Sequence, residues 1–465
     1  MKWLALGICL ILVMPVSAYL RRNPLQSPKV WMLVGFLPFG IHYFHLYMAI
    51  DSAALWGGYV KGVEVSILDL IVLTLYFSTP NVKQPLPFRF VMAFYFLMVL
   101  LSAFQAWQPE SSLFYPWQLA RMFLVYATVT KGCADPRVTP AIMRGMAAGL
   151  MMETAFAIWQ RFGMGMTQTG GTEGHQNLLG VMSHLVILPF FALLLAGRRG
   201  PLPVVVTVAG AFVIVSTASR GTIGLASFGV ATIFVLSAAR KWTSLKGRVL
   251  LIGVVAMAIL VPAVTSSFQE RFAKVPIYEN GYDERAAYLK AAGMMLADHP
   301  LGIGANHFAV IGNIEHYYEK AGVDTYASGL AGNVHNFYYL TAAETGYQGL
   351  IALLLLLVRP LIVAFRCGWR NVGDYRGDLL IGLGVALLAV YFHSWLEWSL
   401  ATFSAEYLLA IAIGLVAGNA QQLGYWSVRP LSAVRPLRNN NLGPVISSAK
   451  SITADLAKPE TRSKY

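Results

Sequence analysis

Apolar runs of roughly eighteen or more residues recur along most of this chain, each long enough to cross a bilayer as one helix. Backbone groups find no water inside hydrocarbon, so spanning segments must be helices or strands of a closed barrel. These runs are too long and too little alternating for barrel strands. Hydrophobic residues make up 57% of the chain and charged residues 12%, about half the charge of an ordinary soluble protein. The expected fold is all-α and integral to the membrane: a polytopic bundle of about 12–13 transmembrane helices with one large outer loop. The segments fall near 3–20, 30–50, 64–79, 88–106, 117–132, 140–161, 177–197, 201–218, 221–239, 248–265, 335–358, 378–397 and 402–419.

Lys and Arg collect in alternate loops: Arg21, Arg22 and Lys29; Arg198 and Arg199; Arg240, Lys241, Lys246 and Arg248; Arg359, Arg366, Arg370 and Arg376. The positive-inside rule puts these in the cytoplasm and places 51–63, 107–116, 162–176, 266–334 and 398–401 outside. The organisation is therefore 1–265 as N-terminal membrane helices, 266–334 as the large outer loop with an amphipathic helix, 335–420 as C-terminal membrane helices, and 421–465 as a basic tail, expected to be disordered, cytoplasmic and lipid-associated. Segment 3–20 also reads as a signal peptide ending at Val16-Ser17-Ala18. The net charge of +13 follows from these inner loops and the tail, which favour anionic lipid headgroups, and does not call for nucleic acid. Cys9, Cys133 and Cys367 all lie away from the large outer loop, so no disulfide framework is expected there.

Chemistry concentrates on the outer side. Val334-His335-Asn336 opens a strongly apolar helix directly after the polar loop. With Asn333 as N-cap, His335 sits in the first helical turn, where the dipole disfavours a positive charge and leaves the imidazole able to accept a proton. The same placement also suits an interfacial histidine bonded to a headgroup. Arg220 occupies the minimal turn Ser219-Arg220-Gly221, Arg121 lies about one turn inside an outer helix end, and Arg161 marks another outer end. Positive-inside logic does not put arginines there, and guanidinium grips phosphate oxygens in bidentate fashion; snorkelling to outer headgroups is the alternative for each. Asp283 is placed to cap a helix carrying Arg285, which Pro300 stops before Leu301-Gly302-Ile303-Gly304 turns the chain. Glycines there allow backbone N–H groups to converge on an anion. Glu344, about two turns beyond His335, is placed to orient an arginine or polarise the site from within. Asp69, Arg144, Glu153, His184 and His393 read as internal pairings that fix helix packing.

The outer loops hold no His-Glu-x-x-His, Gly-x-Ser-x-Gly or Asp-x-Asp, and no Walker motif is present. Zinc proteases, elbow-type serine hydrolases, metal-dependent sugar-nucleotide transferases and ATPases are all disfavoured, and no metal or cofactor is expected.

The stretch from Asp283 to Leu357 resembles the O-antigen ligase and polymerase superfamily of bacterial envelope glycosyltransferases. The residues that carry the resemblance are Arg285 at the head of a helix, His299-Pro300-Leu301-Gly302-Ile303-Gly304 through His307 to Phe308, His335-Asn336 with Leu340, and Glu344-Thr345-Gly346 to Gly349. The Ser219-Arg220-Gly221 turn matches as well, and Gly174-His175-Gln176-Asn177 more loosely. The basic tail has no counterpart in the family pattern. The resemblance implies transfer of an undecaprenyl-pyrophosphate-linked glycan to an acceptor hydroxyl, at the periplasmic face of the inner membrane. It implies His335 as base and Arg285 and Arg220 on the pyrophosphate. Arg121, Arg161, His175, Asn177, Gly302, Gly304, His307, Asn336 and Glu344 are expected around the substrate. The acceptor is either lipid A-core, for a ligase, or a second repeat unit, for a polymerase. A flippase for lipid-linked glycans is the reading from another class, and it would call for internal repeats that the chain does not display.

Overall fold

The computed structural model describes residues 2–52, 55–80, 85–198, 200–255, 284–324 and 331–426, with isolated positions between 256 and 283. Met1–Tyr425 form one compact unit. The segment 427–465, expected as a basic tail, lies outside the described residues, as does Asp283, the expected cap.

The chain is an all-α polytopic membrane protein. Among the described residues, six helices are long and apolar enough to cross a membrane: Val138–Gly163, Gln176–Leu195, Arg220–Arg240, Phe337–Arg370, Tyr375–His393 and Phe403–Gln422. Shorter apolar helices cover Ile67–Ser78, Arg89–Gln105 and Leu202–Ser216. In chain order the elements used below are α1 (Lys2–Arg22), α2 (Ser27–Phe36), β1 (Tyr47–Ser52), β2 (Gly62–Ser66), α3 (Ile67–Ser78), α4 (Arg89–Ser102), α5 (Pro109–Ser112), α6 (Phe114–Gly132), α7 (Val138–Ile158), α8 (Gln176–Leu195), α9 (Leu202–Ser216), α10 (Arg220–Arg240), α11 (Glu284–Asp298), α12 (Phe308–Ile314), α13 (Tyr317–Ala321), α14 (Phe337–Arg370), α15 (Tyr375–His393) and α16 (Phe403–Gln422).

The apolar stretch 30–50 departs from a single span. Helix α2 stops at Phe36, a 3₁₀ turn over Leu37–Phe39 containing Pro38 follows, and Tyr47–Ser52 pairs as a strand with Gly62–Ser66. The alternation of Val63, Glu64 and Val65 suits a strand, and its pairing fixes the register Tyr47↔Ser66 and Met48↔Val65. Helix α14 also differs from expectation, running to Arg370 through Pro360 rather than ending at Val358. Gly346 interrupts it with φ 71° and ψ −178°, a backbone state open to glycine and costly to other residues.

Helix α8 is the axis of the bundle. It is apolar on every face and almost wholly buried, packing against α9, α10 and α15. Close approach to α15 depends on Gly382, where an added Cβ would lie 2.7 Å from the Cα of Pro189. Side-chain bonds sort the loops into two ends. Asn177 meets Glu397, Gln108 meets His307 and Tyr59 meets Glu344 at one end; Arg240 meets Asp378 and Lys131 meets the Tyr76 carbonyl at the other. The second end carries the basic loops.

Arg121 belongs to the packing of this bundle. It is 5% exposed, its Nε donates to Asp69 Oδ2 at 2.9 Å, and it also bonds the Tyr407 hydroxyl. Tyr407 in turn donates to Asp69 Oδ1 at 2.7 Å, and Asp69 closes a capping box with Ser66 at the start of α3. The expected place at the substrate is thereby replaced by an ion pair that ties α3, α6 and α16. Arg121→Gln strands the Asp69 charge and is expected to cost about 3–5 kcal/mol, read as a lower melting temperature in detergent. Adding Asp69→Asn, which keeps a capping oxygen without the charge, recovers part of that loss. An unchanged melting temperature in Arg121→Gln contradicts the assignment.

Candidate active site

The carboxylate of Glu397 gathers the site. Helix α15 ends at His393, and a tight turn follows in which the Leu396 N–H donates to the His393 carbonyl at 2.8 Å. The Phe337 N–H, opening α14, donates to the Ser394 carbonyl at 2.9 Å and draws the two helix ends together. Glu397 hangs from this turn, only 2% exposed. Its Oε1 accepts from Arg285 Nη2 at 2.6 Å and from Asn177 Nδ2 at 2.5 Å, and its Oε2 accepts from His335 Nδ1 at 3.0 Å. Burial alone would push this carboxyl up. The hydrogen bond from His335 and the charge of Arg285 oppose burial and hold it below its ordinary value. The depressed value means the bonded cluster is present at neutral pH and comes apart only as pH falls below the usual carboxylate range.

This arrangement fixes the imidazole. With an ionised carboxylate at Nδ1, the proton must sit on Nδ1, and Nε2 is left as the acceptor. The local chain differs from expectation: Asn336, not Asn333, caps α14, its carboxamide oxygen accepting from Tyr338 N at 3.0 Å and Tyr339 N at 3.1 Å. His335 therefore stands one residue before the cap, held by Glu397 rather than by the first turn. Asn336 serves His335 by capping, with its side-chain oxygen spent on those amides.

Arg285 enters from the first turn of α11 with 53% of its side chain exposed, so it bonds Glu397 while facing solvent. Arg220 opens α10 behind the cap Ser219, whose Oγ accepts from Thr222 N at 3.3 Å, and it is exposed. Its neighbour Gly221 abuts the turn that bears Glu397: a Cβ there would lie 3.0 Å from Leu396 and 3.8 Å from His393. Arg220 thus stands on the same rim. His175, at the N-cap position of α8, is exposed and feels the charges of Glu397, His335 and Arg285.

A second group forms scaffold. Gly302 and Gly304 have φ of 93° and 94°, yet their amides make no anion cradle. Gly302 N donates to His299 O at 2.8 Å, Ile303 N to Ala343 O at 3.0 Å and Gly304 N to Glu344 O at 2.9 Å. The glycines instead permit contact: a Cβ at Gly304 would lie 2.5 Å from Ala106. The Glu344 carboxylate accepts from His307 N at 2.9 Å, Phe308 N at 3.0 Å and the Tyr59 hydroxyl at 2.7 Å. His307 is buried; its Nε2 accepts from Gln108 N at 3.1 Å, so Nδ1 donates to Ala305 O at 2.8 Å. Burial pushes this ring below the ordinary imidazole value. Gly302, Gly304, His307 and Glu344 lock the outer loop onto α14 and the α4–α5 connection. Arg161 holds its own turn, donating to the carbonyls of Met166 at 3.2 Å and Thr167 at 3.0 Å.

Residues 205–354 match the family model described as O-antigen ligase. The chain carries a domain of the O-antigen ligase/polymerase superfamily. No curated protein matches the chain. The ligase domain holds Arg220, Arg285 and His335, as well as the scaffold of Gly302, Gly304, His307 and Glu344. Three members of the cluster lie outside the matched residues: His175, Asn177 and Glu397.

Glu397 was not among the residues expected at the site. Its signal was a lone carboxylate in Ser394-Trp395-Leu396-Glu397-Trp398, at the outer end of an apolar run with no cation near it in sequence. Such a group has to find its partner from another element. Glu397→Gln keeps the shape and removes the charge that sets the His335 tautomer. A fall of order 10²-fold or more in turnover is expected, with the protein still inserted in the membrane. Wild-type turnover in this variant contradicts the arrangement.

Proposed function

We propose that the protein is a metal-independent glycosyltransferase of the bacterial inner membrane, moving an undecaprenyl-pyrophosphate-linked glycan onto an acceptor hydroxyl at the periplasmic face. The observation that carries this reading is the bonding of His335 and Arg285 to one buried carboxylate, which puts a proton acceptor beside a solvent-facing guanidinium. His335 Nε2 takes the proton of the acceptor hydroxyl as its oxygen attacks the anomeric carbon. The new C–O bond forms as the bond from that carbon to the pyrophosphate oxygen breaks, and the leaving group keeps the electron pair. Arg285 and Arg220 stabilise the charge growing on the diphosphate. A single displacement of this kind inverts the anomeric configuration. Glu397 stays ionised throughout and stabilises the imidazolium that forms. The lack of an Asp-x-Asp motif in the outer loops supports a role for arginine, not a divalent ion, in neutralising the leaving group.

The acceptor in this proposal is lipid A-core, as in a ligase. Purified protein in proteoliposomes, given lipid-linked glycan together with lipid A-core and a competing repeat unit, is expected to load lipid A-core and to do so in EDTA. His335→Ala is expected to lose about 10²–10⁴-fold in rate while inserting normally. Transfer to the repeat unit alone makes the enzyme a polymerase; undiminished transfer by His335→Ala, or a strict Mg²⁺ requirement, overturns the mechanism.

A further inference from the structure

At the opposite end of the bundle, the last turns of α8 and α10 and the first turn of α15 enclose a cavity of about 710 Å³. Arg198, Arg240, Lys241, Lys246 and Arg376 line it, against two carboxylates, Asp374 and Asp378. Both carboxylates are already paired, Asp378 with Arg240 at 2.5 Å and Asp374 with Arg376 at 2.6 Å. The cavity wall thus keeps an excess of three positive charges.

Positive-inside topology accounts for cations in these loops but not for their direction. Cations that serve topology alone can stay in water. Here the Arg240 side chain is 3% exposed and Lys246 is 4% exposed, its ammonium turned onto the Ser237 carbonyl at 2.7 Å and the Lys241 carbonyl at 2.5 Å. Arg198 lies over the ring of Tyr375, also on the wall, with its guanidinium carbon 4.2 Å from the ring centroid. Two further polar atoms on the wall, Arg240 Nε and Thr243 Oγ1, are buried and have no hydrogen-bond partner among the described residues. Burying cations in excess of anions is costly unless a counter-charge is supplied, and orphaned donors add to the cost.

We infer that this cavity binds an anionic phosphate group, held by guanidinium and ammonium donors with the Arg240 Nε and Thr243 hydroxyl completing the set. This chemistry is shared by the headgroup of an anionic phospholipid and by free phosphate, both of which present phosphate oxygens to such donors. It lies at the far end of the bundle from Glu397, so it is a site separate from the transfer site.

The test uses the full-length protein in detergent, with its melting temperature titrated by short-chain phosphatidylglycerol, short-chain phosphatidylcholine and inorganic phosphate. Saturable stabilisation by phosphatidylglycerol but not phosphatidylcholine identifies a lipid headgroup; equal stabilisation by inorganic phosphate identifies the free anion. Either result supports the site, provided that Arg198→Gln/Lys241→Gln weakens the half-saturation point at least tenfold. Arg137→Gln, which removes an exposed cation paired with Asp135, serves as the control and retains wild-type binding. Absence of saturable stabilisation by any anion, or wild-type binding in the double variant, overturns the inference.

Discussion

A buried carboxylate in a membrane protein demands hydrogen-bond donors and a counter-charge, and Glu397 meets that demand with residues from three places in the chain. Asn177 comes from the start of α8, Arg285 from the start of α11, and His335 from the residue before α14's cap. Each bond has two consequences. It compensates a charge that would otherwise be costly to bury, and it fixes the direction of a side chain with chemical work to do. The outer loop is held to the membrane helices through the same atoms that set the imidazole tautomer. Stability and catalysis therefore share one group, and a change at Glu397 touches both.

Precision at this cluster rests on a rigid surround. The loop over 302–308 has its amides tied to α14 and to Glu344, while His307 wedges against the 103–109 connection and packs edge-on to Trp56 at 4.7 Å. Asn306 adds bonds to the Val60 backbone at 2.8 Å. Helix α14 breaks at Gly346, where the backbone must clear Leu301. A first shell placed on a surround of this kind loses little on reorganisation when substrate arrives. The arginines differ in setting: Arg285 and Arg220 are exposed near the turn that bears Glu397, whereas Arg121 bonds Asp69 in the bundle and Arg161 bonds the carbonyls of its own turn.

The helical bundle was legible because a run of twenty apolar residues has few physical outcomes in a bilayer. The hairpin at 47–66 was not, since Tyr47, Met48 and Ile50 continue an apolar run and only tertiary pairing reveals a strand. His335 and Arg285 were visible from local pattern. Glu397 escaped because its meaning lies in partners 62 and 112 residues away. Glu344 looked close to His335 when counted along one helix, but its carboxylate turns to the 306–308 amides and Tyr59. Gly302 and Gly304 were read as an anion nest from their spacing; the close contacts that consume their amides and space are a property of packing, which spacing does not encode.

The tautomer of His335 tests the central claim most directly. Nitrogen NMR of the protein labelled at histidine is predicted to show a neutral ring protonated at Nδ1 and bare at Nε2, and this signature is predicted to disappear in Glu397→Gln. A ring protonated at Nε2 in the unaltered protein would leave no proton acceptor toward the substrate and would contradict the account.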